Sequence, residues 1–283
     1  MGVGTGHYEN FPVASVLCPP HLRSTILAIY RYARTADDIA DEGPLSLVDR
    51  TSDLLAYRRD LEAIFDGRAG SARWAAVFLP LRTAVQTHGL PLQPLADLLS
   101  AFLQDVQNPA YPDRHTLLDY CRRSANPVGR LLLHLHGVDD PVRLRQSDHI
   151  CTALQLINFW QDLSVDLPRG RIYLPAEDAH RHGVALGTPG GLRDSLSMRR
   201  LVQTLCAWAE SEMHQGAPLA LAMPGRVGWE LRLVVQGGMR VLHKIRASGY
   251  DTAATRPVLT ATDLPAMIWR GLHMRRRINR GFA

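Results

Sequence analysis

The chain has little cysteine, no long apolar run and no nucleotide or nucleic-acid motif, and each absence removes a class of function. Its 283 residues include four cysteines, Cys18, Cys121, Cys151 and Cys206, scattered and without a CxxC pair. They read as reduced core thiols of a cytoplasmic protein, not as a disulfide framework or a zinc site. No apolar stretch approaches the roughly eighteen residues that a membrane-spanning helix needs. The opening MGVGTGHYENF lacks a charged segment followed by apolar residues, so a secretory leader is not expected. Gly6 also stands where a myristoylation signal requires Ser or Thr. GVGTG follows no strand and opens no helix, so it is no dinucleotide fingerprint, and a nicotinamide cofactor such as NADPH is not expected. Serine, cysteine and histidine occur in no hydrolase elbow or zinc spacing. The net charge of +5 raises the question of nucleic acid. The arginines are spread along the whole chain without a basic-aromatic stripe, so no nucleic-acid partner is expected.

What is present is helical periodicity almost throughout, with Pro and Gly falling between segments. The pattern predicts helices over 19–42, 48–66, 72–88, 91–107, 113–136 with a break at Pro127, 139–167, 192–215, 224–248 and 260–278. Residues 168–191, rich in Gly, Pro and His, read as a long loop with one short turn. Neither a repeat nor a linker interrupts the pattern, and the expectation is a single all-α domain over 1–283. Segments such as LRSTILAIYRYA, LLLHLHGV and ICTALQLINFW are apolar nearly all round and belong at the centre of a multi-helix bundle.

Two of these central helices carry acidic pairs. AIYRYARTADDIADEG holds Asp37 and Asp41, with Asp38 beside them, and ALQLINFWQDLSVDLPRGRIYLP holds Asp162 and Asp166. Residues four apart share one helix face, about 6 Å apart along the axis, so each pair presents two carboxylates to a common point. Acids at this spacing are ordinarily solvated. Buried among Ile, Leu, Phe and Trp, they need cations. Tyr30 and Arg34 extend the first stripe, and Arg34 can pair with an aspartate or offer a planar fork to a phosphate. Gln155 and Asn158 extend the second, and Asn158 adds a neutral oxygen donor. Pro168 ends the helix, and Arg169 and Arg171 follow in a Gly-hinged loop that suits either a lid over a phosphate or a solvated surface turn.

Hard oxygen donors in so small a number point to Mg2+ sharing its shell with substrate phosphates. Four carboxylates and a diphosphate carry about −7, and three Mg2+ restore about +6, with the arginines balancing the remainder. Metals that clamp a diphosphate make it a leaving group, so the implied reaction is ionisation at an allylic or similar carbon inside an apolar barrel. The tail WRGLHMRRRINRGF alternates Trp269, Leu272, Ile278 and Phe282 with arginines. It fits either a last solvated helix or peripheral contact with the anionic inner face of a cytoplasmic membrane.

The motif set resembles the head-to-head prenyl synthases: squalene, phytoene and dehydrosqualene synthases. RTADDIAD is similar to their first aspartate-rich motif, QLINFWQDLSVD to the second, and Gly170, Arg171, Tyr173, Leu174 and Pro175 to the GRxYLP that follows. YCRRSANPVG resembles the segment where a helix opens to admit a second prenyl chain. The resemblance covers His7 to about Tyr250. It implies an isoprenoid synthase bundle binding Mg2+ through Asp37, Asp38, Asp41, Asn158, Asp162 and Asp166. It further implies substrate contacts by His7, Asn10, Phe11, Arg34, Tyr120, Gly129, Gln155, Arg169 and Arg171, with Tyr30, Arg34 and Tyr173 assisting the chemistry. Three departures stand out. Gln161 and Val165 replace the usual Arg and Glu of the second motif, Asn10 replaces a serine, and Gly238 in QGGMRVLHKI stands about where dehydrosqualene synthases place a tyrosine. Together with HYENFPVAS and NFWQDLSVD, they resemble the hydroxysqualene-forming branch of bacterial hopanoid biosynthesis. That branch implies ionisation of presqualene diphosphate supplied by a sister synthase, cation rearrangement and capture by water. The alternative is a synthase that condenses prenyl diphosphates itself. A non-catalytic scaffold would have no use for buried acid pairs.

Overall fold

The computed structural model describes residues 18–186, 192 and 195–275, and among these every regular element is helical. In order they are α1 (Arg23–Asp41), α2 (Leu47–Phe65), α3 (Ala75–His88), α4 (Leu92–Asp105), α5 (Arg114–Ser124) and α6 (Asn126–Leu135). There follow α7 (Pro141–Gln161), α8 (Leu163–Asp166), α9 (Ala176–Arg181), α10 (Leu196–Gly216), α11 (Leu219–Ala222), α12 (Gly225–Ala247) and α13 (Leu264–Leu272). Short 3-10 turns precede α1, α3 and α13. No described helix is long and apolar enough to cross a membrane.

Two apolar clusters build the bundle. In the first, α1 to α4 meet around Tyr32, Tyr57 and Phe78, all buried, with the Tyr32 and Tyr57 rings stacked at 5.4 Å. Buried phenols need acceptors. Tyr32 donates to the carbonyl of Leu95 at 2.9 Å, and Tyr57 donates to the carbonyl of Tyr32 at 3.1 Å. These bonds tie α1 to α4 and α2 through its buried face of Ile29, Tyr32, Ala36 and Ala40. The opposite stripe, with Tyr30, Arg34, Asp37 and Asp41, is thereby turned toward the interior of the molecule. In the second cluster, α7 packs along α10 and also against α12, burying Ile150, Ala153, Ile157 and Trp160 with Leu205, Ala209, Met213 and Val235.

The break expected at Pro127 falls at Ala125, whose φ of −119° leaves the helical range. Pro127 lies in the first turn of α6, where its missing N–H has no helical partner to lose. The single helix expected over 139–167 is also interrupted, at Asp162. The N–H of Ser164 bonds out of the helix to the carbonyl of Thr252 at 2.9 Å, so the loop after α12 captures a donor from the ladder. Asp166 N–H still reaches the Asp162 carbonyl at 2.9 Å, which preserves the four-residue spacing of the second acid pair across the break.

The 168–191 segment carries α9, as its expected turn, but its first part is no free loop. Asn108 donates to the Gly170 carbonyl at 2.8 Å, and the N–H of Ala176 bonds the Tyr111 carbonyl at 2.9 Å. Arg114 grips Asp178 through two bonds of 2.8 and 3.0 Å. The hinged lid suggested by Gly170 is therefore pinned to the α4–α5 connection on both sides of Tyr173. The predicted helix over 260–278 begins as a 3-10 turn, and α13 covers only 264–272. Residues 276–283, with Ile278 and Phe282, lie outside the described residues.

Candidate active site

A cavity of about 750 Å3 opens between the two clusters, walled by α1, α4, α5, α7 and α12 and by the segments after α8 and α12. Both acid pairs reach it: Asp37 and Asp41 from α1, Asp162 and Asp166 from the end of α7 and from α8. Tyr30, Arg34, Tyr120, Gln155, Asn158, Arg169, Arg171 and Tyr173 line the same space. Most of the residues singled out from the sequence thus converge on one cavity.

Asp38 and Gly129 are placed differently. Asp38 points its carboxylate at Arg34, 2.7 Å away, with 43% of its side chain exposed. Gly129 is not in the cavity wall. A Cβ at this position would lie 2.3 Å from Ser147 Oγ and 2.7 Å from Cys151 Sγ, so the glycine lets α6 approach α7. The structure gives it a packing role between α6 and α7. His7, Asn10 and Phe11 lie outside the described residues.

The acid pairs are held by arginines. Arg34 bonds Asp37 at 3.2 Å and also reaches Asp38 and Glu42. Arg171 meets Asp41 at 2.5 Å with both side chains about one-fifth exposed, at 22% and 20%. Arg256 forks onto Asp162 through bonds of 2.5 and 3.1 Å. A fully exposed pair of this kind contributes about 0–1 kcal/mol, whereas an unpaired buried carboxylate costs several. Pairing is therefore the condition for keeping these acids charged inside the bundle. Asp166 is less well served. Burial and the neighbouring Asp162 raise its pKa to about 6, against the opposing pull of Arg171, Arg169 and Arg256.

Two charged residues of the wall escaped the sequence reading. Arg256 lies in the loop after α12, 94 positions from its partner, where nothing local marks it. Asp105 ends α4, and Tyr120 donates to its carboxylate at 2.9 Å. Burial pushes the Asp105 pKa up to about 7. The Tyr120 hydroxyl and Arg171 oppose that shift, while Asp41 and Asp37 add to it. A signal did exist: Leu98, Ala101 and Asp105 fall at spacings of three and four along the buried stripe of α4.

The deeper wall is aromatic. Tyr173 stacks on Phe159 with centroids 4.0 Å apart and planes within 9°. Tyr120 and Tyr111 approach the same ring at 5.9 and 5.8 Å. Burial holds the Tyr120 and Tyr173 phenols well above their ordinary pKa, so both remain protonated donors near neutrality. The cavity thus has an ionic mouth and a π-faced interior, an arrangement that suits an anionic leaving group joined to an apolar, cation-forming chain.

The sequence profile of squalene/phytoene synthases matches residues 5–263. The chain belongs to that family. A hydroxysqualene synthase from Zymomonas mobilis is 37% identical over 236 residues, 82% of this chain and 77% of its own. A presqualene diphosphate synthase from the same organism is 30% identical over 245 residues, 86% of this chain and 81% of its own. Among solved structures, squalene synthase HpnC from Alicyclobacillus acidocaldarius superposes with a TM-score of 0.78 at 36% identity, over 87% of this chain and 90% of that one. The all-α squalene synthase fold and the isoprenoid context follow from these matches, and this family member is an enzyme of the prenyl synthase type.

The Asp105 pKa gives a stability prediction for the metal-free protein. A carboxylate raised from 3.8 to about 7 stabilises the fold while protonated, and that contribution is lost as pH rises through 7. The cost of ionising it in place is roughly 2–4 kcal/mol. Asp105→Asn cannot ionise, yet it keeps an acceptor for Tyr120. Its Tm relative to the parent should therefore rise by a few degrees between pH 5 and pH 8 in chelator-treated samples. A Tm difference that does not change with pH would show that Asp105 is not buried as a titrating acid.

Proposed function

We propose that this protein ionises presqualene diphosphate, lets the cyclopropylcarbinyl cation rearrange, and captures it with water to give hydroxysqualene and diphosphate. The observation that carries the reading is the meeting of two acid pairs at the mouth of one aromatic-lined cavity. A single diphosphate is favoured by the second motif. Gln161 donates its amide to the Pro257 carbonyl at 2.5 Å, which holds the Arg256 loop, and Val165 offers an apolar surface to the cavity. Neither supplies the charge that the resemblance associates with condensing two diphosphates. The higher identity to a hydroxysqualene synthase than to a presqualene diphosphate synthase supports the same choice. A synthase of the latter kind would supply the substrate.

Among the described residues no three His, Cys, Asp or Glu side chains gather as a ready-made metal cage. The paired oxygen donors nevertheless fit a hard cation that completes its shell from substrate. Mg2+ held by Asp37 and Asp41 on one side and by Asn158, Asp162 and Asp166 on the other would supply the Lewis-acid pull that makes diphosphate a leaving group. Arg34, Arg169, Arg171 and Arg256 stand at the same mouth to neutralise the departing anion. As the carbon–oxygen bond breaks, its electron pair leaves with diphosphate. The Phe159, Tyr173 and Tyr120 rings face the cation and exclude bulk water.

Asp37→Asn and Asp162→Asn should each lower turnover more than a hundredfold while the far-ultraviolet circular dichroism stays unchanged. Activity within tenfold of the parent at saturating Mg2+ would sink the two-pair reading. Given presqualene diphosphate in 18O-water and no NADPH, the protein should place the label in the alcohol and release unlabelled diphosphate. Label in the diphosphate would mean phosphorus–oxygen cleavage. Squalene formed only with NADPH, or condensation of farnesyl diphosphate alone, would assign the chain to the condensing alternative.

We further propose that α13 rests on the cytoplasmic face of the membrane, where an isoprenoid substrate partitions. Leu264, Ile268 and Leu272 form a stripe at four-residue spacing and are 49%, 42% and 57% exposed, with Trp269 at 58% beside them. Arg270 and Arg275 flank the stripe. The protein should float with vesicles containing anionic lipid, release in high salt, and lose binding on Ile268→Asp. Equal flotation with neutral vesicles, or none with either, would remove the membrane from the account.

A further inference from the structure

The cation must be quenched by water, and the oxonium that forms must lose a proton. Among the described residues lining the cavity, Asp105 is the one carboxylate outside the two acid pairs. It stands where the ionic mouth meets the aromatic wall, held by the Tyr120 hydroxyl at 2.9 Å. Tyr120 in turn lies 5.9 Å from Tyr173 and 6.2 Å from Phe159, centroid to centroid, so the carboxylate borders the π faces that would hold the cation. A chain of polar side chains runs from the surface as far as Tyr111, whose ring lies 5.7 Å from that of Tyr120. Asp119, with 44% of its side chain exposed, bonds Arg123, which bonds Gln104. Gln104 then donates to the Tyr111 hydroxyl at 3.3 Å. The lining of the same cavity also includes Phe102, Leu154 and Ile157, which cannot take a proton.

From this placement we infer that Asp105 is the catalytic base that orients the quenching water and takes its proton, an assignment that rests on the hydroxysqualene-forming reading above. The water oxygen gives a lone pair to the carbon, forming the C–O bond. One O–H bond breaks, its electrons stay on oxygen, and the proton passes to Asp105 Oδ, leaving neutral alcohol and a carboxylic acid that returns its proton to solvent between turnovers. No oxidant or reductant enters. Of the competing acids, Asp37 is paired with Arg34, Asp41 with Arg171 and Asp162 with Arg256, while Asp166 sits beside Asp162 in the acid pair assigned to the diphosphate end and not against the aromatic wall. The Tyr120 and Tyr173 phenols are held protonated by burial and cannot serve. An Asp105 pKa near 7 matches a group that must accept and release a proton near neutral pH.

The test is product partition from presqualene diphosphate with Mg2+, read as hydroxysqualene formed per diphosphate released. Asp105→Asn should lower this ratio at least tenfold, with hydrocarbons from proton loss or isomeric alcohols making up the balance. Asp105→Glu, which returns a carboxylate to the roomy cavity, should recover a substantial part of it. An unchanged ratio in Asp105→Asn would overturn the assignment and leave the departing diphosphate as the base. So would loss of diphosphate release itself, because Asp105 would then belong to ionisation. A parent protein that releases diphosphate but yields no alcohol defeats the hydroxysqualene reading and this assignment together. A parent that makes the alcohol while the Asn variant makes it equally well defeats only the assignment.

Discussion

Everything at the mouth of this cavity depends on keeping carboxylates charged inside a helix bundle. The penalty for leaving one unpaired is several kcal/mol, comparable to a large part of the stability of a whole domain. The chain meets it with guanidinium groups brought from distant segments: Arg34 from the same helix, Arg171 from the pinned segment after α8, and Arg256 from the loop after α12. These partners explain features that otherwise look incidental. The interruption at Asp162 lets the 252–257 loop dock, through Thr252 on Ser164 and Pro257 on Gln161, and so delivers Arg256. The clamp of Asn108 on Gly170 likewise fixes the turn that carries Arg171.

Under the proposed function, the same pairing would make the site reversible. Each acid pair has at least one carboxylate satisfied by an arginine. A cation arriving with diphosphate can take over the carboxylates only if the arginines gain something in return, and the diphosphate oxygens are that replacement. Under the proposed function, the two exchanges of partner, acid to metal and arginine to phosphate, would occur together, and metal and substrate would then reinforce each other's binding.

Much of this was legible in the sequence because local spacing carries it. The two Asp pairs, Tyr30, Asn158 and Tyr173 lie on short stretches whose helical phase or motif places them together, and the all-α class follows from periodicity alone. What was not legible depends on long-range geometry. Arg256 is an ordinary loop arginine until the fold sets it on Asp162. The pinning of the 170–175 segment depends on Asn108 and Tyr111, which a Gly-rich reading would leave free. Gly129 has a further role that its motif did not mark, since the close approach of α6 to Ser147 and Cys151 leaves no room for a side chain. Asp105 lies between the two cases, since its phase on α4 matches the buried stripe while an acid at a helix end is ordinarily solvated.

Position on that stripe sets Asp105 apart from the other acids. Every carboxylate in the acid pairs is part of a local cluster whose charge invites a cation, so each works best ionised. Asp105 has one phenol as its direct donor and an aromatic surround, and that environment brings its two protonation states close in free energy near pH 7. Under the proposed function, a bundle that held a diphosphate and also finished a carbocation with water would need both kinds of acid. Separating them by a few side chains, with Arg171 on the ionic side and Tyr120 on the aromatic side, would let one cavity keep arginine-paired carboxylates at its mouth and the inferred base at its wall.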